Sequence, residues 1–155
     1  MTFKTPLGKL YATIEDGKIT TLSFWREAKS DNEKSQTLSE LKLWLSDYFA
    51  GKNPKPFKKI APAGTPFQQQ VWRLATQIPY GSTATYGDIA KFISDNMSSQ
   101  AVGQALKRNP IALLIPCHRV IAATALGGYY GKDSADIKQF LLKLEKERPS
   151  SSGQA

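Results

Sequence analysis

The chain of 155 residues carries 21 Lys+Arg against 13 Asp+Glu, a formal charge of +8, with a single cysteine and a single histidine. A lone cysteine excludes an internal disulfide, and with one histidine it excludes a zinc site built from those residue types, so a reducing compartment, the cytoplasm, is expected, with no metal and no cofactor. No apolar leader opens the chain and no run reaches the roughly 18 apolar residues of a membrane span, so no membrane partner is expected. The basic balance favours a polyanion such as nucleic acid, although a merely soluble basic protein would carry it too.

Residues 7–25, LGKLYATIEDGKITTLSFW, alternate apolar and polar positions around Asp16-Gly17, a pair suited to a tight turn with positive φ, and predict a β-hairpin. From Thr37 to Phe49, Leu38, Leu41, Leu45 and Tyr48 recur at helical spacing, with Gly51 as C-cap. Gly51 to Gly64 is rich in Pro, Gly and Lys without sustained period and reads as a linker. Thr65-Pro66-Phe67-Gln68 then supplies a capping hydroxyl, a proline at the first helical position and a Gln at the third, opening a helix that buries Val71, Leu74, Ala75 and Ile78 and stops at Pro79-Tyr80-Gly81. Thr85 caps a second helix with Asp88 three residues on, and Ser98 caps a third after the polar connection SDNM. This pair is either a helix-turn-helix with Gln100 to Arg108 as recognition helix or an ordinary αα-hairpin. Ile137, Phe140, Leu141 and Leu144 predict a terminal amphipathic helix, followed by a frayed tail.

Between the third helix and the terminal one lies NPIALLIPCHRVIAA, which holds both the cysteine and the histidine. Solitary cysteines are most often small buried hydrophobes, and the apolar ALLI supports that reading. Its neighbours argue otherwise. Pro116 favours extended geometry before it, so IALLI reads as a buried strand that delivers Cys117 at its end, with the polar His118 and Arg119 beside it. Cations lower a thiol's pKa, and the thiolate is the form that attacks carbon. Successive residues of an extended chain face opposite sides, so His118 can serve as a base only if the chain turns here or a water intervenes. An acid must then orient the imidazole. Asp88 is occupied as a cap; of Asp95, Asp133, Asp136, Glu145 and Glu147, Glu145 is favoured because the terminal helix must pack on the core.

PFQQQVW (66–72), IPYGSTATYGDIA (78–90), AVGQALKRNP (101–110) and above all IPCHRVI (115–121), followed by LGGYYG (126–131) and LLKLE (141–145), resemble the O6-alkylguanine-DNA alkyltransferases. The resemblance covers nearly all of 65–146, and the first 60 residues match in general shape only. It implies an α/β N-terminal domain, ribonuclease H-like, over 1–60 as a support, and a mostly α C-terminal domain with a helix-turn-helix over 61–155 that binds DNA and accepts the alkyl group. It further implies a monomer that binds double-stranded DNA containing O6-alkylguanine. The helix-turn-helix would enter the minor groove, the damaged guanine (or O4-alkylthymine) would flip out, and Cys117 would take its alkyl group once and irreversibly. His118 would receive the thiol proton through a water, Glu145 would orient the imidazole, Tyr86 would donate to the base, and Asn109 would tie the recognition helix to the Cys117 loop. Tyr86, Gln100, Ala101, Gly103, Lys107, Arg108 and Arg119 would face DNA; Pro116, Val120 and Tyr129 or Tyr130 would line the pocket. One position departs from the family: Gln100 stands where an arginine normally fills the gap left by the flipped base, which predicts slower flipping or weaker DNA binding. Two other classes compete, a damage-binding module that accepts no alkyl group and a cysteine hydrolase. Cys117 argues against the first, and the second would need an oxyanion hole.

Overall fold

The computed structural model describes residues 2–24, 36–123 and 135–147. Two compact units divide them: one holds the chain up to Ala63 together with Pro110–Leu114, the other Gly64–Asn109 and Ile115–Glu147. The division is therefore not a single cut, because the chain leaves the second unit after Asn109 and returns at Ile115.

The first unit is built on an antiparallel sheet of β1 (Thr2–Thr5), β2 (Gly8–Glu15) and β3 (Lys18–Ser23), in that order. The expected hairpin is β2–β3. It turns on Asp16 (φ 51) and Gly17 (φ 75), two successive left-handed residues whose twist matches that of the strands they join. Leu10, Ala12, Ile14, Ile19 and Leu22 form the buried face. β1 was not anticipated, since four residues with one buried apolar side chain carry no readable alternation. α1 (Gln36–Phe49) buries Leu41, Leu45 and Tyr48, and its Thr37 hydroxyl donates to the carbonyl of Gly17 at 2.6 Å. Gly51, at φ 77, ends it as expected: its N–H donates to Tyr48 O and that of Lys52 to Asp47 O, the paired closing bonds of a Schellman motif.

The open edge of β3 is covered by two stretches of irregular chain. Ile19 exchanges bonds with Lys59 and Ala61, and Leu22 with Pro110 and Ala112, all at 2.8 to 2.9 Å. The strand expected over IALLI is thus corrected. Of its residues Ile111 alone bridges β3, and Ala112–Leu114 form a turn in which Leu113 adopts φ 68. A left-handed leucine costs about 1 kcal/mol or more, and burial of Ile111 through Leu114 offsets it. An apolar run reports burial, not extension.

In the second unit, α2 (Pro66–Thr76) begins in a full capping box between Thr65 and Gln68. Its Trp72 is buried and donates its indole N–H to Ala105 O at 2.8 Å. β4 (Ala84–Thr85) leads into α3 (Tyr86–Ile93), again with a capping box, here between Thr85 and Asp88, and Ser98 caps α4 (Ser99–Lys107). β5 (Val120–Ile121) pairs parallel with β4, so the start of α3 is bonded to the residues just after His118 and Arg119. α5 (Ala135–Lys146) differs from its expected face. Leu141 is fully buried, but Phe140 is 37% exposed, and Lys138 and Glu145 are buried instead. No helix among the described residues is long and apolar enough to cross a membrane.

Candidate active site

Pro116 is the centre of a tight turn closed by Cys117 N–H on Ile115 O at 2.8 Å, and Cys117–Arg119 close into a single 3-10 turn, with Arg119 N–H on Pro116 O at 2.9 Å and Val120 N–H on Cys117 O. Three residues per turn bring successive side chains to adjacent rather than opposite faces. The chain thus turns at Cys117 and His118 instead of running on extended. Cys117 is 3% exposed and His118 0%.

His118 Nε2 and Glu145 Oε2 lie 2.5 Å apart. Arg119 grips the same carboxylate with two arms, Nε to Oε1 at 2.8 Å and Nη2 to Oε2 at 3.2 Å. Gly81 N–H adds a bond to Oε1 at 3.1 Å. Burial acts to raise the Glu145 pKa, but the hydrogen bond from His118 and the guanidinium of Arg119 win and hold it below the usual carboxylate value. Burial also pushes His118 below the usual histidine value, against the pull of Glu145 and with Arg119 and Lys138 adding to the depression. The resting pair is therefore an ionised carboxylate and a neutral imidazole. A neutral ring bonded to a carboxylate keeps its proton on Nε2, which makes Nδ1 the basic nitrogen.

Asn109, buried just beyond α4, donates through Nδ2 to Ile115 O at 2.9 Å and to Cys117 Sγ at 3.2 Å. It joins the end of the helix to the turn and gives the sulfur a donor, and a donor favours the charged form of its acceptor.

Lys138 was missed in the sequence. It is 0% exposed, and its Nζ donates to Val120 O at 2.7 Å and to Tyr86 Oη at 3.3 Å, 5.6 Å from the centre of the Tyr86 ring. Burial lowers its pKa to about 8 despite the opposing influence of negative charge at Cys117. Burial, and then Cys117, raise the pKa of Tyr86. The available signal was spacing: Lys138, Leu141 and Glu145 fall at i, i+3 and i+7 of one helical face. Reading that face from apolar residues alone discards both charged members.

Tyr86, Gln100, Ala101, Gly103 and Lys107 share one open groove along α4, while the exposed Arg108 caps that helix outside the lining. Arg119 corrects an expectation. It does not face outward for DNA, because its guanidinium is bound to Glu145 and to Ile78 O at 2.9 Å and lies 5.6 Å from the centre of the Tyr80 ring. Pro116 and Val120 are buried on either side of the turn. Val120 O already accepts from Lys138, and like Cys117 O it has a second lone pair to offer. Tyr129 and Tyr130 lie outside the described residues.

Two family models cover almost the whole chain: 6-O-methylguanine DNA methyltransferase, ribonuclease-like domain, matches residues 1–61, and 6-O-methylguanine DNA methyltransferase, DNA binding domain, matches 66–147. The constitutive methylated-DNA–protein-cysteine methyltransferase of Bacillus subtilis (strain 168) is 41% identical over 155 residues, covering 94% of this chain and 93% of its own. The crystal structure of the Mycobacterium tuberculosis O6-methylguanine methyltransferase matches with a TM-score of 0.80 at 36% identity, over 96% of this chain and 92% of that one. The Mycobacterium tuberculosis OGT in complex with DNA matches with a TM-score of 0.78 at 35% identity, over 99% and 94%. With a ribonuclease-like first domain, a helical DNA-binding second domain and a lone buried cysteine in the second, the chain belongs to the methylated-DNA–protein-cysteine methyltransferase family.

Proposed function

We propose that the protein is a single-use DNA repair transferase that takes the alkyl group from O6-alkylguanine in duplex DNA onto Cys117 and keeps it. The observation that carries this reading is the sulfur of Cys117, 3.2 Å from the Asn109 amide, on a turn whose next residue is held by Glu145 at 2.5 Å. The thiol proton passes through a water to Nδ1 of His118, and Glu145 stabilises the imidazolium that results. The thiolate displaces at the saturated alkyl carbon: the S–C bond forms, the C–O6 bond breaks, and guanine leaves with the electron pair. That departure is slow unless the developing charge is met, which is the role of the Tyr86 hydroxyl, itself bonded to the Lys138 ammonium. The carbonyls of Cys117 and Val120 receive the guanine amino group. A thioether has no easy hydrolytic exit, so each molecule reacts once.

The pair α3–α4 serves as the helix-turn-helix, with α4 entering the minor groove and the target base flipped toward Cys117. Lys107 and Arg108 meet phosphates, and Gln100, shorter and uncharged where relatives carry arginine, makes flipping slower or binding weaker. Donor, relay and acceptor all come from one unit of one chain, so a monomer suffices. A thiol acceptor works only where thiols stay reduced, which fits the cytoplasm.

The test is the intact mass of the protein after incubation with a duplex bearing one O6-methylguanine, with Cys117→Ser alongside. One methyl group gained per molecule, mapped to Cys117 and absent from the variant, is expected. Damage-selective binding at unchanged mass would replace the transferase with a damage-binding module.

A further inference from the structure

Arg119 is the charged residue the transfer chemistry does not yet use. Its side chain is 11% exposed, and each arm of the guanidinium is committed: two to Glu145 and one to the Ile78 carbonyl, beside the Tyr80 ring. Such a fork fixes a carboxylate in plane as well as neutralising it. The carboxylate it fixes is the one that holds His118. We infer that Arg119 is a positioning residue for alkyl transfer: by neutralising Glu145 it leaves His118 uncharged at rest and so able to take the thiol proton. This rests on Cys117 being the alkyl acceptor.

The charged groups acting on His118 are Glu145 and Lys138 from α5 and Arg119 from its own turn, with Cys117 the neighbour before it in that turn, and Tyr86 of α3 stands behind Lys138. With Arg119 present, the carboxylate's charge is already met, and Lys138 opposes a further cation on the ring. Without Arg119, Glu145 becomes a buried anion, and a buried anion either recruits a proton or is strongly destabilising. The nearest place for that proton is the Glu145–His118 pair, which then shares it and titrates as one unit. An imidazole that already holds this proton cannot accept one from sulfur.

The sign follows. In the wild type the pair binds no extra proton near neutrality, and moving a proton from sulfur to imidazole leaves the total unchanged, so the transfer rate is nearly flat. In Arg119→Met the active form is the one that has lost the pair's proton, so the rate climbs as pH rises. Lys138, with its pKa of about 8, is common to all variants, and the ratio of variant to wild type is therefore the readout.

The experiment is single-turnover methyl transfer to Cys117 from an O6-methylguanine duplex, protein in excess, followed by intact mass from about pH 6 to about pH 8. The wild-type rate should vary less than about threefold, and Arg119→Met should rise about tenfold per pH unit toward it. Arg119→Lys, which keeps the charge without the fork, should lose rate by a similar factor at every pH. Arg119→Met/Glu145→Gln, which removes both charges, should be flat again and no slower than Glu145→Gln alone. A uniform loss in Arg119→Met, or losses that simply multiply in the double variant, overturns the inference. If Arg119→Met fails to fold, as judged by thermal melting, the comparison of the double variant with Glu145→Gln still decides. No transfer by the wild type at any pH would instead remove the functional reading, and the inference with it.

Discussion

Replacing Lys138 with Met should uncouple the stability of the fold from alkaline pH. In the native protein the ammonium is 0% exposed and its pKa falls from 10.5 to about 8, chiefly through burial. That difference of about 2.5 pH units, at about 1.4 kcal/mol each, corresponds to about 3 kcal/mol. The sign is set by which state binds more protons. Below about pH 8 both folded and unfolded chains carry the charge, and the fold bears the full cost of burying it. Between about 8 and 10.5 the folded chain has shed the proton and the unfolded chain has not, so stability rises with pH across that window. Met fills a similar volume with no charge and lacks this rise. Its stability relative to the wild type should therefore fall by about 3 kcal/mol between pH 7 and pH 10.5, a relative change of roughly 6 to 12 °C in Tm for a chain of this size. The assay is thermal unfolding of both proteins across that range, in which the titrations they share cancel. Curves that run parallel would show that burial does not depress this amine. The same variant should transfer alkyl groups more slowly, because the Tyr86 hydroxyl and the Val120 carbonyl both lose their donor.

Three further outcomes follow from the site. Asn109→Ala removes the amide donor from the sulfur; a hydrogen bond to a charged acceptor contributes about 1.5 to 3 kcal/mol, so alkylation of Cys117 by iodoacetamide at neutral pH should slow by about tenfold to about a hundredfold, and an unchanged rate would sink that role. Glu145→Gln should flatten the acid limb of stability: the wild-type carboxylate, held below the ordinary 4.5, stabilises the fold above about pH 4.5 and ceases to as pH falls below it, a loss read by urea unfolding. Gln100→Arg should raise both duplex affinity and repair rate, with a steeper salt dependence of binding; equal affinity at every salt concentration would remove the residue from the DNA face.

Local signals were the legible ones. Thr65 with Gln68, Thr85 with Asp88, and Ser98 before α4 mark helix starts because a cap is a contact between residues three apart, and each forms as read. Asp16-Gly17 specifies its turn through the φ values those residues tolerate. The same logic failed where the partner is distant. IALLI is apolar enough to be buried, and its sequence cannot say whether a strand or a turn does the burying; the bonds that Leu22 makes to Pro110 and Ala112 decide it. β4 and β5 are two residues each and exist only as a pair.

The candidate site divides along the same line. The sequence by itself determined that one cysteine and one histidine stand next to each other after a proline, that caps and periodicity set the helices on either side, and that Glu145 was the acid best placed to reach the imidazole. Only the tertiary structure decided how those residues are charged. Whether Arg119 turns outward or binds Glu145, and whether Lys138 sits on the solvent face of α5 or under Tyr86, depends on which side of a helix or turn is covered by residues tens of positions away. Burial and ion pairing set protonation states, and both are properties of packing, which local spacing does not encode.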